Sequence, residues 1–185
     1  MANISTLKHP YKLPLTKAIK AICFLSLLLL PIFVFSQLTG KVVSISDGDT
    51  FTLLTGEKEQ IKIRLYGIDC PEKGQPFGDA AKRYLSILIF NKEVQVTNKG
   101  LDRYGRTIGI AIISDTNVNE LMLKQGYAWH YKQYDHNSLW DVYENDARKL
   151  SRGLWVDKNA IEPWIWRHLS RENNYSKQWA QLSSK

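Results

Sequence analysis

Cysteine is nearly absent from this sequence, which has 2 cysteines in 185 residues. Cys23 lies inside an N-terminal apolar run that is typical of an export signal, so only Cys70 remains after processing. One cysteine cannot form an intramolecular disulfide, even in the oxidising compartment that an export signal indicates. We therefore expect the mature chain to be stabilised by the packing of a hydrophobic core.

Histidine is scarce as well, with 4 residues scattered along the chain. A structural zinc site needs about four cysteine or histidine ligands, which this composition does not supply in a cluster. We predict that His130, His136 and His168 are surface or helix-capping groups rather than ligands. The sequence therefore disfavours zinc.

The apolar run at residues 21–35 is shorter than the roughly 20 residues that a membrane-spanning helix needs. It follows four lysines and no acidic residue, and it ends in compact residues. This pattern predicts that residues 1–36 are a signal peptide, cleaved near Ser36/Gln37. The alternative is an uncleaved anchor, whereas lipid attachment is disfavoured because Cys23 lies near the start of the run. We expect a secreted or periplasmic protein that meets the membrane only through its signal.

Positive charge is in modest excess. The formal net charge is +7 for the whole chain and, without the four lysines of the signal, near +3 for the mature chain. This excess suits transient contact with a polyanion, but it is too small to identify a nucleic-acid-binding protein by itself.

Repeats and linkers are absent from the sequence. After removal of the signal, the chain of 185 residues keeps about 149, enough for one sizeable core. We predict one domain at residues 37–168 and a weakly ordered tail at residues 169–185, and we expect a monomer without a stable protein partner.

Alternation of apolar and polar residues predicts five strands, at residues 39–46, 50–54, 60–65, 93–97 and 107–113. Helical periodicity predicts about three helices, at residues 78–91, 118–125 and 138–151. Five short strands with one helix between the third and fourth indicate an α+β fold with a five-stranded Greek-key barrel of the OB type. Such a barrel has an open face suited to oligonucleotides.

Three short polar segments interrupt the predicted strands and carry carboxylates, arginines or both. They are Asp47-Gly48-Asp49-Thr50, Arg64-Leu65-Tyr66-Gly67-Ile68-Asp69-Cys70-Pro71-Glu72 and Asp102-Arg103-Tyr104-Gly105-Arg106. In order, spacing and chemical type, these segments resemble the three signatures of the staphylococcal nuclease (thermonuclease) family. The resemblance extends from about Thr39 to Trp155.

The resemblance implies a calcium-dependent nuclease that hydrolyses phosphodiester bonds of DNA and RNA without preference for the sugar. Its metal-binding carboxylates match Asp49 and Asp69, with Asp47 behind them, and the main-chain carbonyl of Cys70 matches a further ligand. The family often has threonine at the position of Cys70. Its catalytic residues match Arg64, Glu72 and Arg106.

The residue types alone support the same chemistry. Two carboxylates about 4 Å apart repel each other by roughly 4 kcal/mol at an effective dielectric constant near 20, so a cation or arginines must accompany them. Oxygen ligands suit calcium, or magnesium if more water is retained.

Glu72 follows Pro71, whose ring restricts the loop, and is our candidate general base. Arg64 and Arg106 can each donate two parallel hydrogen bonds to a phosphate.

Several aromatic and basic residues are candidates for contact with the substrate. Tyr131 and Tyr134 either stack on bases or pack in the core, and both readings remain open. Lys99, Arg103 and Tyr104 are candidates to hold flanking phosphates and nucleotides. Four tryptophans are predicted to lie in the core or to dock helices, namely Trp140, Trp155, Trp164 and Trp166.

Two other classes of function remain open. An OB-type module can bind nucleic acid without turnover, because a fold does not fix a function. Such a module has no need for the full set of acids and arginines described above. An envelope-tethered interaction domain is the third reading, and it requires that the signal stays uncleaved.

Overall fold

The structure is a computed structural model that describes residues 37–172. Its strands are β1 (Gln37–Ile45), β2 (Thr50–Thr55), β3 (Gln60–Leu65), β4 (Ile68–Asp69), β5 (Glu93–Leu101), β6 (Thr107–Ile113), β7 (Thr116–Asn117) and β8 (Trp129–His130). Its helices are α1 (Gly78–Ile89), α2 (Val118–Lys124), α3 (Ser138–Lys149), a 3-10 turn (Gly153–Val156) and α4 (residues 163–172).

Five strands close into a barrel. β1 pairs antiparallel with β2 and with β5, and the antiparallel pairs β2–β3 and β5–β6 extend the sheet on both sides. A parallel pairing of β3 with β6 closes it. Alternate residues point inward, as Val94 and Val96 of β5 do, and both are fully buried. The predicted α+β fold with a five-stranded OB-type barrel is confirmed.

The structure differs from the predicted strands mainly at β5, which reaches Leu101 instead of ending at Thr97. The register shifts between Asn98 and Gly100, where the positive φ of Gly100 (123°) favours glycine. A bulge in polar sequence breaks the alternation that the prediction relied on. The two-residue strands β4, β7 and β8 are likewise too short to give a periodic signal.

Helix α1 lies where the sequence predicted it. Its fully buried residues Ala81, Leu85 and Ile89 are four apart and therefore form one face against the barrel. The helix ends two residues before the predicted boundary, and Asn91 there has a φ of 64°. Asn117 and Asn137 cap the next two helices, since their side chains accept main-chain N–H groups of the first turn.

The C-terminal segment packs through a second apolar cluster. Trp129, Ala147, Leu154 and Trp155 form this cluster, and Trp164 of α4 packs against it. Helix α4 continues through residue 172, four residues beyond the predicted domain boundary at 168, so the start of the predicted tail is helical. Residues 173–185 lie outside the described residues.

The predicted signal peptide at residues 1–36 also lies outside the described residues, and its cleavage stays a prediction. Within residues 37–172, no helix combines the length and apolar character needed to cross a membrane.

Candidate active site

The turn between β1 and β2 carries the first acids. The main-chain N–H of Asp49 donates to Asp47 Oδ1 at 3.1 Å, which shapes the turn. Asp49 is buried, and its side chain accepts hydrogen bonds from the Cys70 N–H at 2.9 Å and from the Thr50 hydroxyl at 3.1 Å. Gly48 permits this approach, because a Cβ there would lie 2.7 Å from Cys70 Cβ. The turn is thereby fixed against the second motif.

Arg64 is placed by strand register, since it pairs with Thr50 across β2 and β3. Its Nη1 lies 3.0 Å from Asp49 Oδ2, and its Nη2 lies 2.7 Å from Asp69 Oδ1. Burial opposes the charged guanidinium, but the charges of Asp49 and Asp69 outweigh it and raise the pKa of Arg64. One arginine therefore joins the two predicted metal-binding carboxylates.

The carboxyl of Asp49 is short of compensating charge despite this ion pair. Burial raises the pKa of Asp49 to about 8, and the nearby charges of Asp47 and Asp69 add to the rise, while Arg64 and the Cys70 N–H oppose it. An additional cation beside these oxygens would favour the ionised form. The donor chemistry therefore fits a hard divalent cation.

Asp69 lies on β4, a two-residue strand that is held in place by pairing with β8. β4 pairs antiparallel with β8, so Asp69 lies opposite Trp129 and Ile68 opposite His130. Asp69 is 1% exposed. Both of its oxygens are engaged, Oδ1 by Arg64 and Oδ2 by Arg167 at 2.7 Å.

The prediction that His130 is a surface or capping group is wrong, because its side chain is 1% exposed. Its Nδ1 lies 2.7 Å from Asp141 and its Nε2 lies 2.8 Å from Asp135. Its main-chain N–H donates to Glu144 at 2.7 Å. These partners satisfy the polar atoms of the buried residue and fix β8 next to Asp69.

Glu72 lies in the loop before α1. Its N–H donates to the side chain of Gln75 at 2.9 Å, and its carbonyl is packed so closely on Gly78 that a Cβ there would lie 2.1 Å away. The Glu72 side chain is 36% exposed and forms an ion pair with Arg167. The candidate base is therefore reachable by water and sits in a loop with little freedom to shift.

Arg106 follows the β5–β6 turn and is oriented by Asp102. The carboxylate of Asp102 accepts hydrogen bonds from Arg106 Nε at 2.6 Å and from the N–H groups of Arg106 and Tyr104. Arg106 Nη1 donates to Thr50 Oγ1 at 3.3 Å. Since Thr50 also bonds Asp49, Arg106 joins the same end of the barrel as Arg64.

The structure also locates Cys70. Its side chain is 3% exposed, and burial together with the charge of Asp49 raises the pKa of the thiol. The thiol is therefore neutral and inert, which leaves its main chain as the group available to the site.

Within residues 37–172, no group of three or more His, Cys, Asp or Glu side chains is arranged to hold a metal ion. The two carboxylates that Arg64 joins, Asp49 and Asp69, are a smaller set.

The predicted substrate-binding residues divide into two groups. Tyr104 is 70% exposed in the β5–β6 turn with Arg103 over its ring at 5.0 Å, while Lys99 on β5 lies over the Tyr66 ring at 5.8 Å. Tyr131 and Tyr134 form the other group, with their ring centroids 4.8 Å apart.

Tyr131 is covered on one side. The ring of Trp164 stacks on it with centroids 5.0 Å apart and an interplanar angle of 3°. Tyr134 is 59% exposed. In this arrangement Tyr134 offers more ring surface for stacking than Tyr131 does.

Arg167 was missed as a site residue by the sequence reasoning, although it contacts both Asp69 and Glu72. No motif contains it. The available signal was an arginine directly after Pro163-Trp164-Ile165-Trp166, a cluster of large side chains that predicts docking of the segment against the domain.

Comparison with known proteins identifies relatives of this chain. Residues 62–157 match the family model described as Staphylococcal nuclease homologue. An "Uncharacterized endonuclease" of Haemophilus influenzae is 46% identical over 135 residues, which cover 73% of this chain and 76% of that protein. A "Micrococcal nuclease" of Shigella flexneri is 39% identical over 165 residues, covering 83% of this chain and 94% of that protein.

The match includes the second and third motifs, most of β3 and all of β6. The identities of 46% and 39% over most of both relatives go beyond a likeness of fold alone. The chain therefore belongs to the staphylococcal nuclease family, which confirms the predicted family and the predicted class of phosphodiester-hydrolysing enzyme.

Proposed function

We propose that this chain is a calcium-dependent nuclease that hydrolyses phosphodiester bonds in both DNA and RNA. The observation that carries the proposal is the meeting of Asp49, Arg64 and Asp69 at one end of the barrel, with Arg106 joined to them through Thr50. A site of buried carboxylates and arginines beside an open surface suits a substrate that carries phosphate.

The proposed metal ligands are Asp49, Asp69 and the main-chain carbonyl of Cys70, with Asp47 shaping the turn behind them. When bound, the divalent cation supplies charge neutralisation and polarises a phosphate oxygen. Burial, and to a lesser degree the charges of Asp47 and Asp69, raise the pKa of Asp49 to about 8, which supports the assignment because a cation would offset this cost of ionisation.

Arg106 is the better placed of the two arginines to receive a phosphate. A guanidinium has five N–H donors, and Arg106 uses its Nε on Asp102 and one Nη1 donor on Thr50. Its remaining donors can serve phosphate oxygens as they gain negative charge in the transition state. Arg64 is more fully engaged, since its Nη1 also donates to the carbonyls of Leu65 and Ile68. Arg64 therefore contributes fixed positive charge and holds Asp49 and Asp69 with two separate nitrogens.

Glu72 is the proposed general base. A carboxylate held in a rigid loop and partly open to solvent can accept the proton of a water molecule that attacks phosphorus. For substrate contacts, Tyr104 and Arg103 lie on the exposed turn next to Arg106, and Tyr134 offers a ring for base stacking. Lys99 and Tyr131 complete the proposed substrate-binding residues.

Digestion of denatured DNA and of RNA by purified residues 37–185 tests the proposal. Each substrate is incubated with calcium or with a chelator, using the wild type, Glu72→Gln and the control Glu57→Gln, which changes an exposed turn residue. We expect calcium-dependent cleavage that falls by about 10²–10⁴-fold in Glu72→Gln only. Tight binding without cleavage under any divalent cation would instead identify a non-catalytic binding module.

We also propose export with cleavage near Ser36/Gln37, on the basis of the lysines and apolar run that precede this position. Expression with the full leader, followed by sequencing of the mature N-terminus, tests this. A start near Gln37 supports export, and an intact N-terminus retained in membranes supports the anchor.

A further inference from the structure

Arg167 is an arginine of the site that does not come from the barrel. Its Nη2 lies 2.7 Å from Asp69 Oδ2, its Nη1 lies 3.3 Å from Asp69 Oδ1, and the same Nη1 pairs with Glu72 Oε1. The guanidinium therefore holds a proposed metal ligand with two parallel bonds and the proposed base with a third. These contacts link positions 95 and 98 residues apart in sequence.

The placement of Arg167 is enforced by packing. Trp164, three residues earlier on α4, stacks on Tyr131 and meets the ring of Trp129 edge to face at 5.9 Å. Gln75, which also fixes the Glu72 loop, donates to the carbonyl of Ile161 at 2.7 Å. The segment that carries Arg167 is thus attached through Trp164 to β8, which pairs with Asp69, and through Ile161 to the Glu72 loop.

The charge of Arg167 is matched to this position. Its side chain is 35% exposed. Burial opposes its charge, but the hydrogen bonds and charges of Asp69 and Glu72 outweigh that effect and raise the pKa of Arg167. A guanidinium with such partners is permanently charged and has a rigid, bidentate geometry.

This arrangement conflicts with a metal ion at Asp69. Arg64 and Arg167 together place two donors on Oδ1 of Asp69 and one on Oδ2. A carboxylate has about four lone-pair sites, so at most about one is left for a hard cation while Arg167 stays in place. A divalent cation would also be repelled by a guanidinium that shares its ligand. The guanidinium of Arg167 and a divalent metal ion can replace each other, since each neutralises the same carboxylates.

We propose that Arg167 is a positioning residue that acts as the internal counter-ion of Asp69 and Glu72, and that a divalent cation binds at Asp69 in competition with it. The proposal rests on the proposed metal site. In the metal-free protein Arg167 keeps the two carboxylates in place. A cation held at Asp69 would take the place of Arg167, and the Glu72 oxygen that Arg167 engages would then be open to a water molecule.

The dissociation constant for calcium, measured by titration calorimetry on residues 37–185, tests the competition. The variants are Arg167→Gln, Arg167→Lys and the control Arg171→Gln, which removes the same charge from an exposed position one turn later on α4. We expect Arg167→Gln to bind calcium about tenfold more tightly, because a like charge is removed from a partly desolvated site. Arg171→Gln should change the constant by less than about twofold, since an exposed charge is screened.

Thermal unfolding in chelator tests the counter-ion role without any metal. Arg167→Gln should lower the melting temperature by about 4 °C, since it leaves the buried Oδ2 of Asp69 without its arginine partner. Arg167→Lys keeps the charge but loses the two parallel donors of the guanidinium. Its calcium dissociation constant and its melting temperature should therefore lie between those of the wild type and Arg167→Gln.

The outcomes separate this proposal from the proposed function. If the wild type binds calcium and Arg167→Gln binds it equally or more weakly, the competition is overturned. An unchanged melting temperature of Arg167→Gln in chelator overturns the counter-ion role. If no variant binds a divalent cation and the wild type cleaves DNA in chelator, the metal site of the proposed function fails, and the competition fails with it.

Discussion

The barrel end and the C-terminal segment build the same site in different ways. Asp49, Arg64 and Arg106 lie within one residue of a strand end, or in the strand itself, so the register of β2, β3 and β6 places them together. Arg167 reaches the site from a helix 98 residues beyond Asp69 in sequence, and aromatic packing holds it there. The first group depends on hydrogen-bonded pairing, and the second on the docking of side chains.

This difference has a consequence for substitutions. Changes at the barrel end should lower activity, because the groups that we propose to contact the phosphate and its cation lie there. Changes in the C-terminal segment should alter the stability and the metal affinity of a site that stays assembled. The following experiments test this division.

Among the changes that compare these two regions, Arg64→Lys is expected to have the largest effect. An ammonium group cannot reach Asp49 and Asp69 with the two nitrogens that Arg64 uses at 3.0 and 2.7 Å. We expect kcat to fall by about 10²–10³-fold with little change in KM, as measured by steady-state cleavage of a fluorescent oligonucleotide. Lys62→Gln, an exposed position on the same strand, is the control. Weaker binding at an unchanged rate would make Arg64 an anchoring residue.

Gly48→Ala tests the close packing of the barrel end. A Cβ at Gly48 would lie 2.7 Å from Cys70 Cβ and 2.8 Å from Ala81 Cβ, so the turn or α1 must move. We expect the free energy of unfolding to fall by about 2–3 kcal/mol in urea denaturation. Gly56→Ala is the matched control, because nothing lies within 4 Å of a Cβ there. Equal stability of the two variants would contradict the packing argument.

Trp164→Ala tests the C-terminal segment. The ring of Trp164 contacts Tyr131 and Trp129 from a half-buried position. Its removal should lower the free energy of unfolding by about 1–2 kcal/mol in the same assay. Ile165→Ala, at a 42% exposed neighbouring position, should have almost no effect. A loss of activity as severe as that of Arg64→Lys would contradict the division, in which the barrel end supplies activity and the C-terminal segment supplies stability.

The smallest effect concerns the pH dependence of the turn that holds Arg106. Burial alone would raise the pKa of Asp102, but hydrogen bonds from Arg106 and Tyr104 outweigh it and lower the pKa below the ordinary 3.8. Ionised Asp102 therefore stabilises the folded state above its unfolded pKa, and this contribution is lost as the pH falls through the lowered folded value.

Asp102→Asn measures that contribution. We expect a loss of about 1 kcal/mol in unfolding free energy near neutral pH, and the difference from the wild type should shrink as the pH falls below about 4. Glu59→Gln, at an exposed position, should show no such trend. A difference that is constant from pH 3 to pH 7 would exclude titration of Asp102 as its cause.

The positions that sequence reasoning located best are those with local signals. Alternation predicted the five barrel strands, and the spacing of Ala81, Leu85 and Ile89 predicted α1. The reasoning failed where the signal was not local. His130 sits between Asp135 and Asp141, and no period in the sequence distinguishes such a buried histidine from an exposed one.

The sequence by itself determined the barrel, the family and the set of acids and arginines, because alternation and short motifs encode strands and the residues at their ends. Tertiary structure decided that Trp164 covers Tyr131 and that Arg167 lies on Asp69 and Glu72. These contacts depend on how α4 packs against β8 and the loop after β4, and packing between segments nearly a hundred residues apart leaves no local pattern.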